Sequence, residues 1–169
     1  MPPSIPPATV RAPQAFRPHD HRDCRGRALA AVEAACAARR LRLTPARAHV
    51  LEALLGSHRA LTAYELLEGL AAAGLGSGPP LVYRALDFLV ANGFVHRIER
   101  LGAFAACTLG GAEPVAGFLV CRACRRVAEV PLPRPVRGLA RQAGAAGFAI
   151  ERTVVEAEGL SARCREAAA

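Results

Sequence analysis

Apolar residues recur along this chain with a helical period over its first half and with strand-like alternation after residue 93. The change of period marks its organisation. Over 28–40, ALAAVEAACAARR puts Leu29, Val32 and Cys36 on one face, which predicts a helix and gives Cys36 the role of a small buried hydrophobe. LTPARAHVLEALL predicts a second helix: Thr44 is a natural N-cap, Pro45 a natural first helical residue, and Gly56 stops it. Val50, Leu51, Leu54 and Leu55 form its apolar face. LTAYELLEGLAAAG predicts a third, opened by a Thr62–Glu65 capping box and closed by Gly74. Pro79 and Pro80 pre-set a fourth, with Val82, Ala85, Leu86, Leu89 and Val90 inward. Tyr83, Arg84, Asp87 and Ala91 point away from that face, and Asn92–Gly93 ends the helix.

FVHRIER and AFAACT then alternate around Leu101–Gly102 and predict a hairpin. Three short helices, a fourth with a polar outward face and a hairpin predict a winged helix-turn-helix, whose last helix enters the DNA major groove. A plain helical bundle with a stray hairpin is the other reading of that pattern. Beyond residue 115, FLVCRACRRVAEV reads as two strands around a Cys-x-x-Cys turn, 136–146 as a helix and FAIERTVVEAEGL as a strand. The expected class is α+β: a winged-helix DNA-binding domain at 26–109, a linker at 110–117, and a small α/β domain at 118–169. Residues 1–25, Pro-rich and without periodicity, are expected to form a disordered arm. HDHRDC within them reads as a solvated polar tail rather than a metal-binding stretch.

With 169 residues, 52% of them hydrophobic, the chain can bury one core or two modest ones. No apolar run reaches about eighteen residues, so no membrane span is expected. The N-terminus lacks the apolar stretch of a signal peptide, so a cytoplasmic protein is expected. In that reducing setting six cysteines read as metal ligands or free thiols. The net charge of +8 rests entirely on arginine but is spread along the chain, so it gives only a lean towards nucleic acid.

Two places have metal-ligand chemistry. A two-residue turn at Leu101–Gly102 would set Ile98 opposite Ala105 and His96 opposite Cys107. Directly opposed side chains have Cβ atoms about 4.5–5.5 Å apart. An imidazole and a thiolate so placed can share one zinc, with bonds of about 2.0–2.3 Å. A one-residue slip would send them to opposite faces, leaving a half-buried histidine beside a buried cysteine. The second place is Cys121-x-x-Cys124 with Cys164, where Ser161 stands at the position that would complete a second Cys-x-x-Cys. A serine hydroxyl replaces a thiolate poorly. Either zinc binds to three cysteines and an outside group, or packing alone holds this domain.

RLRLTPARAHVLEALL, LTAYELL, PPLVYRALDFLVANGFVHRIE, CRACRRVAEV and GFAIERTVVEAEGL occur in an order that resembles the ferric uptake regulator family, in particular its zinc uptake regulator branch. The VYRALDFL…GFVH run is the most specific of these. The resemblance implies a winged-helix domain followed by an α/β dimerisation domain, and a homodimer that binds a pseudo-palindromic DNA operator when loaded with metal and represses uptake genes. It implies that Tyr64 and Arg84 read bases and that Arg47 and Tyr83 lie near the phosphate backbone. It also implies that His96, Cys107 and Glu129 are three ligands of a zinc-sensing site between the domains, with Cys121, Cys124 and Cys164 belonging to a structural zinc site. Several positions depart from the family pattern. Pro114 stands where a fourth sensing histidine is expected, and the neighbouring Glu113 is the candidate replacement. Arg152 and Glu158 stand where histidines are common, and Leu81 replaces a threonine before Val-Tyr-Arg.

The leading expectation is thus a metal-responsive, most simply zinc-responsive, DNA-binding repressor. A regulator of the same fold with altered metal sensing, or one responding to redox change at Cys121 and Cys124, is the alternative. A zinc enzyme is disfavoured: the chain lacks His-Glu-x-x-His, and the deaminase signature fails because Val120 precedes Cys121.

Overall fold

The first four helices each begin at a side-chain cap or at a proline, which removes one of the unpaired amides. The computed structural model describes residues 13–107, 116–132, 137–151 and 153–167. Asp20 caps α1, His21–Ala38, and its carboxylate accepts from the Arg22 N–H. The Thr44 side chain caps α2, Pro45–Leu55, with proline in the first turn. Thr62 and Glu65 close a complete capping box on α3, Ala63–Ala72. α4, Pro79–Ala91, has no side-chain cap and relies on its two leading prolines. It ends as Asn92–Gly93 predicts: Gly93 is left-handed (φ 75°), and the Phe94 N–H returns to the Leu89 carbonyl at 2.9 Å. Arg39, just past α1, pins that end by donating to the Asn92 side chain at 2.6 Å.

The predicted apolar faces meet in one core of α2, α3 and α4 with Cys36 from α1. Leu51, Leu54, Leu66, Leu70, Leu86 and Leu89 are all under 2% exposed. Each such leucine contributes about 1.5–3 kcal/mol of burial. Val82, Ala85 and Leu86 are buried while Tyr83, Arg84 and Asp87 are exposed, so the amphipathic reading of α4 holds.

The wing is a three-stranded antiparallel sheet in the order β1-β3-β2, from Leu61–Thr62, Ala103–Ala106 and Val95–Ile98. Its register corrects the expected turn. His96 pairs with Ala105 and Ile98 with Ala103, two residues away from the two-residue-turn alignment. A Leu-Gly pair cannot give both residues the positive φ of a tight hairpin turn without strain at leucine. The chain instead makes a 3-10 turn at Glu99–Leu101 and turns left-handed only at Gly102, φ 55°. Because sheet faces alternate with period two, a two-residue shift leaves His96 and Cys107 on the same side.

The second half folds as β4, Ala116–Cys121, β5, Val127–Pro131, α5, Arg137–Ala145, β6, Val155–Gly159, and α6, Ala162–Glu166. The order β5-β4-β6 pairs β4 antiparallel with β5 through the Cys-x-x-Cys turn and parallel with β6 through the α5 crossover. Only Val155–Gly159 of the expected FAIERTVVEAEGL strand is extended and paired. Gly147 (φ 66°) turns the chain out of α5, and Phe148, Ile150 and Val154 stay exposed, uncovered by the described residues.

The wing has two buried faces. One lies on the helices through Val95, Phe104 and Ala106; the other carries Ile98, Ala103 and Ala105 against Phe118, Val120 and Val127 of the second sheet. The join also uses backbone: Ala60 N–H donates to the Arg125 carbonyl at 3.0 Å and Val127 N–H to the His58 carbonyl at 2.9 Å. The expectation of a disordered arm over 1–25 is corrected for its later part. Gln14–Phe16 forms a 3-10 turn packed near β5, Ala15 is 5% exposed, and α1 starts at His21 because Asp20 caps it.

Candidate metal centres and nucleic-acid interface

The inter-domain face of the wing positions the first centre. His96 lies on β2, and Cys107 follows β3, its N–H donating to the Phe94 carbonyl at 2.9 Å. Glu129 comes from β5, opposite Phe118. His96 Nε2 is 2.9 Å from Glu129 Oε1, and Cys107 Sγ is 3.8 Å from the same oxygen. One donor atom from each residue lies within 4.8 Å of the others. Burial disfavours the His96 cation, but Cys107 and Glu129 outweigh it and raise the imidazole to about 9. A proton there balances the Glu129 carboxylate, and a divalent cation would replace it. One imidazole, one thiolate and one carboxylate suit zinc and leave a fourth position. Glu113, the sequence candidate for that position, lies outside the described residues, as does Arg152.

The second centre forms where β4 ends. Cys121, Cys124 and Cys164 bring their sulfurs within 4.8 Å of one another. Ser161 stands just ahead of α6 beside them, its side chain turned to sulfur and not to the helix amides: its N–H donates to Cys121 Sγ at 3.4 Å, and its hydroxyl is 3.6 Å from that sulfur. Burial pushes the Cys121 thiol up. The N–H groups of Ser161, Cys124 and Ala123 and the Ser161 hydroxyl outweigh burial and bring it down to about 6. Cys124 is raised instead, by burial and by the neighbouring sulfurs of Cys121 and Cys164. Three convergent sulfurs, one of them ionised near neutral pH, fit a thiophilic cation such as zinc.

On the outer side of the helical domain, Tyr64 is 70% exposed on α3 and Tyr83 53% exposed on α4, with Arg84 exposed next to it. Arg47 differs. Its guanidinium lies 3.7 Å from the centroid of the Phe88 ring and donates to the Arg42 carbonyl at 2.7 Å, so it is half-buried in the fold.

Two groups escaped the sequence. Glu156 accepts from the Glu99 and Arg100 N–H groups at 2.8 and 3.0 Å, capping the wing's 3-10 turn from the second domain. Glu158 pairs with Arg100 at 3.2 Å. No local pattern announces such a tertiary cap. The other group is His19, His21, Cys24 and His58, whose donor atoms also lie within 4.8 Å of one another. Burial first, then His19, His21 and Arg126, lower the His58 imidazole to about 4. HDHRDC was the signal for three of them; His58, alone in the loop after α2, gave none.

This geometry has counterparts. Residues 38–157 match the model of the ferric uptake regulator family. The chain is 38% identical to the zinc uptake regulation protein of Escherichia coli K12 over 139 residues, 82% of this chain and 81% of that one. It is similar to a solved zinc uptake regulator in complex with zinc and DNA, with a TM-score of 0.78 and 37% identity over 85% of this chain and 97% of the other. It is also similar to the holo form of the regulator XcZur, with a TM-score of 0.72 and 44% identity over 83% and 97%. The VYRALDFL…GFVH helix and wing, the second sheet paired through its Cys-x-x-Cys turn and these matches lead to one conclusion. The chain belongs to the ferric uptake regulator family.

Proposed function

We propose that this protein is a zinc-responsive, DNA-binding transcriptional repressor that acts in the cytoplasm as a homodimer on a pseudo-palindromic operator and controls metal uptake genes. One observation carries the reading: His96 and Cys107 of the wing converge with Glu129 of the second sheet. The E. coli relative named a zinc uptake regulation protein and the structure of a similar regulator with zinc and DNA support it. Zinc at this centre supplies a divalent charge that offsets Cys107 and Glu129 across the domain join. His96 orients from a strand whose Val95 and Ile98 pack on opposite faces, so its position reports how the wing meets β5. Arg84, outward on α4, suits bidentate contact with a guanine edge, and Tyr64 a neighbouring base. Tyr83 and Arg47 lie near phosphate in this reading. Cys121, Cys124 and Cys164 hold a structural zinc. Leu139, Phe148, Ile150 and Val154, exposed on the second domain, form the apolar surface that a second copy covers. Among the described residues no helix is long and apolar enough to cross a membrane.

The test is selection of duplexes from a random-sequence pool with added zinc, followed by titration with zinc, manganese or iron(II). The reading expects a two-fold symmetric site bound only with metal, zinc being effective at the lowest concentration because a thiolate is in the set. Equal binding in the presence of a strong chelator would contradict it. An order of effect with manganese ahead of zinc would favour the same fold with altered sensing.

A further inference from the structure

We propose that His19, His21, Cys24 and His58 form a third zinc site, which fastens the arm and the start of α1 to the loop between α2 and β1. His19, His21 and Cys24 precede residue 38, where the match to the family model begins. His21 and Cys24 are three apart at the first turn of α1 and so share a helix face, with His19 just ahead of the cap. His58 faces them from the loop after α2, where its backbone is held left-handed, φ 52°, a conformation uncommon for a residue with a side chain.

The distances have the scale of a coordination shell. His19 Nε2 is 3.0 Å and Cys24 Sγ 3.4 Å from His58 Nε2, and all four donors fall within 4.8 Å of one another. A tetrahedral zinc with bonds of about 2.0–2.3 Å separates its ligands by about 3.3–3.8 Å, so closure needs only small side-chain shifts. The Nδ1 of His19 lies 2.9 Å from the Arg17 carbonyl. Donation of its N–H there leaves the Nε2 lone pair directed into the cluster, the arrangement usual behind a metal-bound imidazole. Nδ1 of His21 is buried with no hydrogen-bond partner. Three imidazoles and one thiol form a zinc-type donor set, and the three ring centroids sit only 4.3–5.2 Å apart.

The location gives the site a consequence. The His58 carbonyl accepts from Val127, and Arg59 bridges to Arg126, so this loop is part of the join between the domains. One cavity runs beside it, lined by Cys24, His58, Phe94 and Cys107. A cation here would fix the arm to the same join that the His96 centre spans, through separate ligands.

The experiment is equilibrium dialysis of the full chain at fixed free zinc, with zinc per chain counted by atomic emission. Wild type is compared with His19→Ala, His21→Ala, Cys24→Ser and His96→Ala. Each arm variant is expected to hold one zinc fewer than wild type, and Cys24→Ser combined with His96→Ala two fewer, which separates this site from the sensing centre. His19 lies outside every helix, so His19→Ala remains informative should Cys24→Ser fold poorly. In parallel, added zinc should slow tryptic cleavage at Arg22, Arg25 and Arg27 in wild type at least about tenfold, and not in His19→Ala, as a tethered arm requires. Unchanged zinc stoichiometry in His19→Ala and His21→Ala, or arm cleavage indifferent to zinc, would overturn the site and leave an imidazole pair joined by a hydrogen bond.

Discussion

Two arginines that the family pattern places together at DNA differ at the level of single contacts. Arg84 is exposed and has no structural task in the fold's core, whereas Arg47 stacks on Phe88 and holds the Arg42 carbonyl. Arg84→Ala is therefore expected to weaken operator binding by about 5- to 150-fold, the range of one bidentate base contact, with an unchanged melting curve. Arg47→Ala is expected to lower the melting temperature as well, which calorimetry on the two variants would reveal. Ser161 gives a second residue-scale prediction. Its N–H and hydroxyl already lie 3.4 and 3.6 Å from Cys121 Sγ. Ser161→Cys should therefore complete a four-cysteine site and raise zinc retention against a chelator by at least about tenfold. Equal retention in the two proteins would mean that the three cysteines do not bind zinc as a set.

At the level of elements, α3 ties local capping to domain contact. Glu65 accepts from the Thr62 N–H and hydroxyl at 2.7 and 2.8 Å, and Arg125 of the second domain reaches the same carboxylate at 3.2 Å. The Thr62 bonds first, with Arg125 adding to them, hold the Glu65 carboxyl below its ordinary value against a smaller opposing effect of burial. A carboxyl depressed in the folded state stabilises above its unfolded pKa of about 4.3 and loses that contribution as pH falls through the lower folded value. Glu65→Gln keeps an acceptor for the Thr62 N–H but loses the charge, so it should cost about 1 kcal/mol near pH 7, the margin of a charge-assisted over a neutral hydrogen bond, and little near pH 3, measured by thermal melts across that range. A cost that is the same at both ends would contradict the assignment. Thr62, Glu65, Pro45, Pro79 and Gly93 were legible because caps and stops depend on neighbours in sequence. The hairpin was legible in its faces but not its register: alternation fixes which side His96 and Cys107 occupy, while the 3-10 turn that sets the register is capped by Glu156, 57 residues from Glu99. The strand expected over FAIERTVVEAEGL was overextended because alternation alone cannot say whether a face will find cover.

For the whole molecule, the wing is the shared wall of two cores, with Val95 and Phe104 on the helices and Ile98 and Ala105 on the second sheet. His96 and Cys107 belong to the second of these faces, and Glu129 meets them only because β5 packs there. That three-way meeting was absent from local pattern; the family resemblance, not spacing, implied Glu129. The loop that carries His58 joins the same wall, so arm, wing and second sheet converge on one seam. The most direct test of coupling across this seam is the anisotropy of a labelled operator duplex, titrated with wild type and His96→Ala in saturating zinc and in a strong chelator. Wild type is predicted to bind about 5- to 150-fold more tightly with zinc, the usual span of a coupling energy, and His96→Ala to bind weakly and equally in both. Zinc-dependent binding of His96→Ala at wild-type strength would contradict the account.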